Sequence, residues 1–302
     1  MSRLSANFLL LLAAAIWGSA FVAQSTAMDA VGPLTFTGIR FLIAALVIAP
    51  FALREHRLRP DAKLGTADWM SFAGIGVIFF FGIAIQQVGI VVTSVTNAAF
   101  LTAVYVVLVP LLGATVFRDR LHPILLPAAC VTLAGIWLLG GGSLSALNWG
   151  DGAMLVCAVF WALHVGLIGR AGARTGRPLA IAFVQFLLTG LIGFGAGAAF
   201  EDITVSGLQA AWFEIFYTSV LSGCLAFTLQ AVAQRWTQAT DAAILLSSEA
   251  LFGALAGALL LGERLGLAGL IGCGLILSSI LAVQLVPLLP GKSGILRASR
   301  SV

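Results

Sequence analysis

The sequence contains few charged side chains. Asp, Glu, Lys and Arg together make up only 9% of its 302 residues, whereas a soluble domain carries about 25%. Hydrophobic residues make up 60%, and the mean hydropathy is +1.07. Such a chain has no polar coat to present to water. The composition therefore excludes a soluble domain and predicts an all-α integral membrane protein in the lipid bilayer, with no nucleic-acid partner.

Several motifs of catalysis and cofactor binding are also missing. The sequence has no GxxxxGK[ST] phosphate loop and no HExxH zinc motif. Neither lysine, Lys63 or Lys292, lies in a long apolar segment, so a retinal Schiff base is excluded. These absences argue against a primary pump, a metalloprotease and a photoreceptor. We expect no enzyme activity, no cofactor and no metal. Four cysteines in apolar runs, without metal-ligand or redox spacing, are typical of packing residues: Cys130, Cys157, Cys224 and Cys273.

The chain contains an internal repeat with an offset of 144 residues. The same shift superimposes Asp119-Arg120-Leu121 on Glu263-Arg264-Leu265. We therefore predict two copies, residues 1–145 and residues 146–302. The first segment resembles a signal peptide, but its place in the repeat predicts that it is retained. Residues at equivalent positions include Asn7 and Asp151, Trp17 and Trp161, Gln86 and Gln230, and Asn97 and Asp241.

Each copy has five apolar segments of about 20 residues, the length that crosses the hydrocarbon as a helix. Because five is odd, the second copy must lie upside down in the membrane relative to the first. The sequence thus predicts ten transmembrane helices as two inverted five-helix repeats, an architecture typical of alternating-access transporters. The expected spans are 7–28, 33–53, 68–91, 97–117, 123–141, 151–169, 178–200, 208–233, 241–261 and 266–289.

The distribution of basic residues predicts the orientation. With the N-terminus in the cytoplasm, 14 of the 16 Lys and Arg residues fall in inner segments. Of the other two, Arg264 is in an outer loop and Arg40 is within a span. Cytoplasmic loops are enriched in basic residues, so both termini are expected in the cytoplasm. The inner set is Arg3, Arg54, Arg57, Arg59, Lys63, Arg118, Arg120, Arg170, Arg174, Arg177, Arg235, Lys292, Arg297 and Arg300.

Polar side chains inside the spans are costly in hydrocarbon and usually face a cavity or a partner. At about 1.5 Å per residue, Arg40 and Glu214 lie at matched depths near the outer surface. His164 and Glu249 lie at matched depths, about 10 and 12 Å above the inner surface. We therefore consider two ion pairs, Arg40 with Glu214 and His164 with Glu249. Three alternatives stay open: Arg40 and Glu214 extend to the interface, His164 is structural, and Glu249 binds a helix backbone. A carboxylate that couples transport to protons is a further hypothesis.

Aromatic and polar residues share several helix faces at spacings of three and four. Such mixed faces suit an organic solute better than a bare ion. Asn97 and Asp241 start equivalent helices at opposite membrane faces, so they are candidate helix caps and candidate gates. The predicted substrate-binding residues are Trp17, Phe79, Gln86, Trp161, His164, Tyr217, Ser248 and Glu249.

Residues 246–252, Leu-Ser-Ser-Glu-Ala-Leu-Phe, continue to Leu261-Gly262-Glu263-Arg264-Leu265. This stretch resembles the signature of the EamA-type domain of the drug/metabolite transporter superfamily. The start Ile16-Trp17-Gly18-Ser19-Ala20-Phe21 is similar to the first helix of that family. The resemblance covers residues from about 7 to 285. General similarity, rather than one motif, is closest to the bacterial aromatic amino acid exporters.

The resemblance implies an inner-membrane exporter of small molecules, with a central cavity between the halves and the fifth and tenth helices peripheral. In the first copy, Tyr105 stands where the second has Glu249. We expect export of amino acids, aromatic ones included, and related small metabolites by alternating access. One alternative is a multidrug exporter of lipophilic cations with Glu214 and Glu249 as counter-charges. A passive channel and a membrane signalling subunit are alternatives of another class.

Overall fold

The long apolar segments fold as helices, and proline starts two of them. Pro33 and Pro178 occupy the first positions of equivalent helices, where the fixed φ of proline suits a helix start. The computed structural model describes residues 1–58, 63–93, 95–119, 123–139, 148–260 and 266–286. In the first half the helices are α1 (Arg3–Thr26), α2 (Pro33–Arg57), α3 (Thr66–Gly89), α4 (Val95–Thr102), α5 (Tyr105–Thr115) and α6 (Leu125–Leu139).

The second half repeats this order. Among the described residues, seven helical stretches are long and apolar enough to cross a membrane, and three further helices are shorter and apolar. The predicted all-helical membrane character is confirmed, whereas the count of ten spans stays a prediction. The helices are α7 (Trp149–Thr175), α8 (Pro178–Phe200), α9 (Val205–Ala210), α10 (Trp212–Tyr217), a π-helix (Thr218–Ala226), α11 (Phe227–Ala233), α12 (Ala239–Leu246), α13 (Glu249–Leu260) and α14 (Leu267–Leu285).

Some sequence motifs lie outside the described residues. They are Arg120-Leu121, the whole of residues 261–265 with Glu263 and Arg264, and the basic residues Arg59, Lys292, Arg297 and Arg300.

Two predicted spans are interrupted at equivalent positions. The span at 97–117 is broken into α4 and α5 at Ala103-Val104, and the span at 241–261 is broken into α12 and α13 at Ser247-Ser248. Both breaks use the same tightened turns. Val104 N–H donates to Leu101 O, and Ser248 N–H donates to Leu245 O. A shift of 144 residues relates these two hydrogen bonds. Such local tightening commonly marks a hinge or a functional site.

Equivalent helices α2 and α8 pack against each other along their full length in opposite directions. The two backbones are so close that a Cβ atom placed at either of two glycines of α8 would collide with the backbone of α2. One at Gly193 would lie 3.0 Å from Gly38 N, and one at Gly190 would lie 2.7 Å from Leu42 N. As residue numbers rise on one helix, the contacted numbers fall on the other. The pair is therefore antiparallel, as small residues at a membrane helix contact allow.

The ends of α2 and α8 cap each other through two glutamates. The Glu201 carboxylate, after α8, accepts from the N–H groups of Leu34 and Thr35, both at 2.8 Å. Near the end of α2, the Glu55 carboxylate accepts from Leu179 N–H at 3.3 Å and Ala180 N–H at 3.1 Å. A carboxylate at a helix N-terminus satisfies free N–H groups and complements the helix dipole.

The polarity of the molecule is reversed relative to a soluble protein. Large apolar side chains such as Phe200, Leu259 and Leu46 point outward and are mostly exposed. Arg40, His164 and Glu249 are instead buried. Lipid accepts the apolar surface, while the polar groups must find partners inside the protein.

Loss of the Glu201 cap is expected to destabilise the protein. Glu201→Gln keeps the size of the side chain but removes the charge that two N–H groups bind, so we expect a loss of about 1–2 kcal/mol. Denaturant unfolding of purified protein in detergent measures it. Asp202→Asn, at the exposed neighbouring position, is the matched control. Equal stability of the two variants would contradict the capping role.

Close packing of α1 on α13 predicts that Gly18 tolerates no side chain. A Cβ at Gly18 would lie 2.6 Å from Glu249 O and 2.6 Å from Gly253 N. These are backbone atoms that cannot rotate away, so Gly18→Ala must separate the helices, at a cost of about 1–3 kcal/mol. The control is Gly74→Ala, where nothing lies within 4 Å of the added atom. Midpoints of unfolding in a denaturing detergent compare the two variants, and a Gly18→Ala midpoint at or above that of Gly74→Ala would refute the packing argument.

Candidate functional site

One cavity lies among the helices of the two halves. Its empty volume is about 500 Å³, open space at its mouth included, which is within the range of small-molecule sites. Most of its wall is aromatic or aliphatic, with a few polar side chains. The lining residues are Trp17, Phe21, Gln24, Arg40, Ile83, Gln86, Thr102, Tyr105, Trp161, Val165, Ser222, Phe227, Gln230, Leu246 and Glu249.

The lining follows the internal repeat. Twelve of the fifteen lining residues form pairs whose members are 144 positions apart, so the two copies contribute equivalent positions to one cavity. Only Gln24, Arg40 and Ser222 have no such partner in the wall. The pairs are Trp17 with Trp161, Phe21 with Val165, Ile83 with Phe227, Gln86 with Gln230, Thr102 with Leu246, and Tyr105 with Glu249.

Tyr105 and Glu249 meet in the cavity. Each is the first residue of a half-helix, Tyr105 of α5 and Glu249 of α13, directly after the equivalent helix breaks. The Tyr105 hydroxyl and the Glu249 carboxylate interact with each other. The start of a helix also favours a negative charge. Equivalent positions of the two copies therefore touch each other, one as an acid and the other as a phenol.

The aromatic wall is centred on Phe227. Trp161 stacks on this ring with centroids 5.7 Å apart and planes at 11°, and Trp17 packs against it at 4.5 Å. Trp17 is held in place because its Nε1 donates to Ser222 O at 3.1 Å. Phe79 packs edge-on against the other side at 4.6 Å. Such edge-on and offset ring pairs are favourable and make a rigid apolar surface.

Polar lining residues are held by hydrogen bonds to one another. Arg40 donates from a terminal nitrogen to Gln24 Oε1 at 2.8 Å, and its guanidinium lies 4.9 Å from the Phe41 ring centroid. Elsewhere in the lining, Gln86 Nε2 donates to Thr102 Oγ1 at 3.2 Å. The site therefore combines aromatic walls with an amide, a guanidinium and a carboxylate.

Four of the predicted substrate-binding residues line the cavity, and four do not. Phe79 and His164 form a buried layer behind the wall, with centroids 5.0 Å apart. The Ser248 hydroxyl donates to Leu245 O at 2.6 Å and supports the break before Glu249. The Tyr217 hydroxyl is 2.7 Å from Ser19 Oγ, outside the lining. The four that line the cavity are Trp17, Gln86, Trp161 and Glu249.

The two ion pairs considered from depth are not formed in this conformation. Arg40 binds Gln24, whereas a Glu214 carboxylate oxygen lies 3.5 Å from Thr26 Oγ1. His164 Nε2 lies 2.9 Å from Gln185 Oε1 and forms no ion pair with Glu249 among the described residues. Depth along a helix does not determine the direction of a side chain around its axis, which explains both outcomes.

The candidate gate Asp241 binds Arg3 at 2.7 Å, which ties the start of α12 to the start of α1. The helix position of Asn97 is in α4, and its side chain lies outside the described part of the chain. Near these positions the Thr93 hydroxyl donates to the Asp151 carboxylate. The Thr237 hydroxyl donates to Asn7 Oδ1 at 2.9 Å.

These last two hydrogen bonds are related by the repeat. The shift of 144 residues places Thr93 on Thr237 and Asn7 on Asp151. Thr93, after the end of α3, thus binds α7, and Thr237, after the end of α11, binds α1. We call these two hydrogen bonds the threonine latches.

Most lining residues were absent from the predicted substrate-binding set, among them Gln24, Tyr105, Phe227 and Gln230. The repeat already contained the signal for two of them, because a shift of 144 residues carries Gln86 to Gln230 and Glu249 to Tyr105. The positions of Gln24 and Phe227 in the lining depend on how the helices pack, and no periodicity in the sequence predicts that packing.

Comparison with known proteins agrees with this architecture. A sequence profile of the EamA-like transporter family matches residues 4–141 and, a second time, residues 148–285. These two matches begin and end 144 residues apart. A crystal structure resembles the chain with a TM-score of 0.79 at 20% identity, and the match covers 94% of this chain and 99% of that one. At this identity the likeness shows the fold alone.

Three relatives are named as transporters. An uncharacterized transporter of Archaeoglobus fulgidus is 31% identical over 94% of this chain and 87% of its own length. The uncharacterized transporter YwfM of Bacillus subtilis is 25% identical over 93% of this chain and 94% of its own length. The uncharacterized inner membrane transporter YedA of Escherichia coli is 27% identical over 68% of each chain. With two family matches that together span most of its length, the chain belongs to the EamA-like transporter family of the drug/metabolite transporter superfamily.

Proposed function

We propose that this multi-pass membrane transporter exports amino acids, aromatic ones included, and related small metabolites across the inner membrane by alternating access. The observation that carries the proposal is the cavity, which equivalent residues of the two copies build together. A site shared by two repeats is the geometry that alternating access requires, because rocking of one half against the other exposes it to either side. The aromatic wall around Phe227 suits an organic solute with an apolar side chain.

The proposed topology is ten spans in two inverted copies, residues 1–145 and 146–302, with both termini in the cytoplasm. Support comes from the antiparallel packing of equivalent helices α2 and α8. Reciprocal capping by Glu55 and Glu201 is a second support, because it relates the two ends of this pair. The basic residues of the predicted inner loops are the third.

Movement between the two states is proposed to occur at the equivalent helix breaks. Because α5 and α13 start beside the cavity, a small rotation at Ala103-Val104 or Ser247-Ser248 moves one half-helix and leaves the other in place. The threonine latches lie at the two ends of the interface between the copies. Asn97 and Asp241 are proposed as gate residues at opposite faces, and the Arg3–Asp241 ion pair closes the face that carries the N-terminus.

The cavity favours an amino acid over a lipophilic cation. Glu249 is the lining carboxylate, and the Arg40 guanidinium shares the wall with it. Glu214, the second counter-charge expected for a cation exporter, is not among the lining residues. A cavity in which a fixed positive charge accompanies the negative one attracts a simple cation less. Glu249 is also the proposed site for coupling to protons.

Saturable exchange would establish the transport cycle. Proteoliposomes loaded with unlabelled tryptophan are expected to accumulate labelled tryptophan transiently, with a rate that saturates, and a pH gradient is expected to change its extent. Trp161→Ala removes a stacked wall and should weaken apparent affinity about 10-fold. Trp149→Ala, at an exposed tryptophan of the same helix, should leave it unchanged. Non-saturating flux would instead identify a passive channel.

The proposed orientation is tested by labelling single cysteines in intact cells. In a variant without the four native cysteines, Asp202→Cys is expected to react with a membrane-impermeant maleimide from outside. Arg54→Cys should react only after the membrane is opened. Both positions are exposed in the structure, so reactivity reports sidedness rather than burial. The reverse pattern would place both termini outside the cytoplasm.

A further inference from the structure

The cavity wall carries two opposite charges that do not neutralise each other. Arg40 and Glu249 both line it, and only 2% and 5% of their surfaces are exposed. The ion pairs among the described residues include neither of them. Burial of an unpaired charge at membrane depth is costly, and such residues usually serve a ligand or an ion path.

The Arg40 side chain has donor capacity left over. One terminal nitrogen binds Gln24, and the ring faces of Phe36 and Phe41 lie 5.2 and 4.9 Å from its centre. Its Nε is buried and has no hydrogen-bond partner within the described chain. A guanidinium presents a fork of donors that matches a carboxylate. A fork with a free arm, held against aromatic rings, is therefore a binding group for a carboxylate.

The Glu249 carboxylate has acceptor capacity left over in the same way. Tyr105 interacts with it, while its Oε1 is buried and has no hydrogen-bond partner among the described residues. Gln230, which also lines the cavity, has a buried Oε1 in the same condition. Two free acceptor oxygens in the lining of one cavity match the several N–H donors of an ammonium group.

The two charges lie at neighbouring levels of one helix and in one cavity. Arg40 is bound to Gln24 of α1, while the backbone of Glu249 packs on Gly18 of the same helix. These contacts are six residues apart, which corresponds to about 9 Å along α1. Because both side chains line the same cavity, a small molecule inside it is within reach of both.

We propose that Arg40 and Glu249 are the two specificity-determining ends of a zwitterion site. Arg40 binds the carboxylate of the substrate, Glu249 with Gln230 binds its ammonium, and the aromatic wall around Phe227 holds the side chain. This rests on the proposed function, in which the cavity is the transport site, and it adds which residue selects which charge. Each copy contributes one charge. The repeat partner of Glu249 is the neutral Tyr105, and the offset of 145 residues that pairs Pro33 with Pro178 pairs Arg40 with the neutral Gln185.

Three indole probes of nearly equal size test this assignment. Tryptophan carries both charges, tryptamine lacks the carboxylate and indole-3-propionate lacks the ammonium. Competition against labelled tryptophan on purified protein gives the affinity of each. The wild type should prefer tryptophan over both other probes by about 100-fold, since each of them leaves one buried charge unpaired.

Variants at Arg40 and at Glu249 should change the relative affinities of the three probes in opposite ways. Arg40→Gln should weaken tryptophan about 100-fold and leave tryptamine little changed, while Arg40→Lys, which keeps the charge, should retain most of the preference. Glu249→Gln should weaken tryptophan and spare indole-3-propionate. Arg54→Gln and Asp29→Asn, at exposed positions, are controls for loss of either charge. Equal weakening of all three probes by Arg40→Gln would show a structural role and overturn the assignment.

Failure of the assignment can be separated from failure of the proposed function. If tryptophan exchanges in proteoliposomes but the variants do not reorder the probes, transport stands and the zwitterion site does not. If no amino acid exchanges, the proposed function fails. Protection of the purified protein against heat by the same probes then still tests the site. Greatest protection by tryptophan, lost in Arg40→Gln, supports the assignment, and equal or absent protection by all three probes refutes it.

Discussion

A polar group in the hydrocarbon core has no water to bind, and each unsatisfied one costs several kcal/mol. Helices satisfy their own backbones except at the ends, and this chain satisfies two helix starts with the reciprocal carboxylates of Glu201 and Glu55. The same cost directs Arg40, His164 and Glu249 inward. Because the outer surface accepts apolar side chains, the polar groups collect in the interior, where they form the cavity and the layer behind it.

The internal repeat builds each of these features from equivalent residues of the two copies. The two copies contribute equivalent residues to the lining of the cavity and to both threonine latches. The helix breaks follow the same rule. Ser247 and Ser248 bind backbone carbonyls at one break, while Ala103 and Val104 have no such hydroxyl at the other. The helix break is therefore maintained by the packing that both copies share, and does not require a particular side chain.

The predictable and unpredictable features differ in physical kind. Hydropathy and proline predicted where helices begin, and α2 and α8 do start at the expected prolines, Pro33 and Pro178. Depth along each helix was also accessible, because the rise per residue is constant. Direction around the helix axis was not, so Arg40 and Glu214 share a depth but turn to Gln24 and to Thr26. The breaks at Ala103 and Ser247 were unpredictable because alanine and serine do not end a helix by themselves.

The charged residues of the cavity lie at positions where the two copies differ. If both copies had a carboxylate at the position shared by Tyr105 and Glu249, two acids would touch and one would have to give up its charge. A phenol opposite a single carboxylate avoids that repulsion and leaves the buried Glu249 Oε1 free as an acceptor. Arg40 departs in the same way from its neutral partner Gln185, which is occupied by His164. On the proposed topology Arg40 lies toward the outer face while Glu249 lies near the centre. In the proposed alternating-access cycle, the Arg40 end of the cavity is therefore the end nearer the outer face.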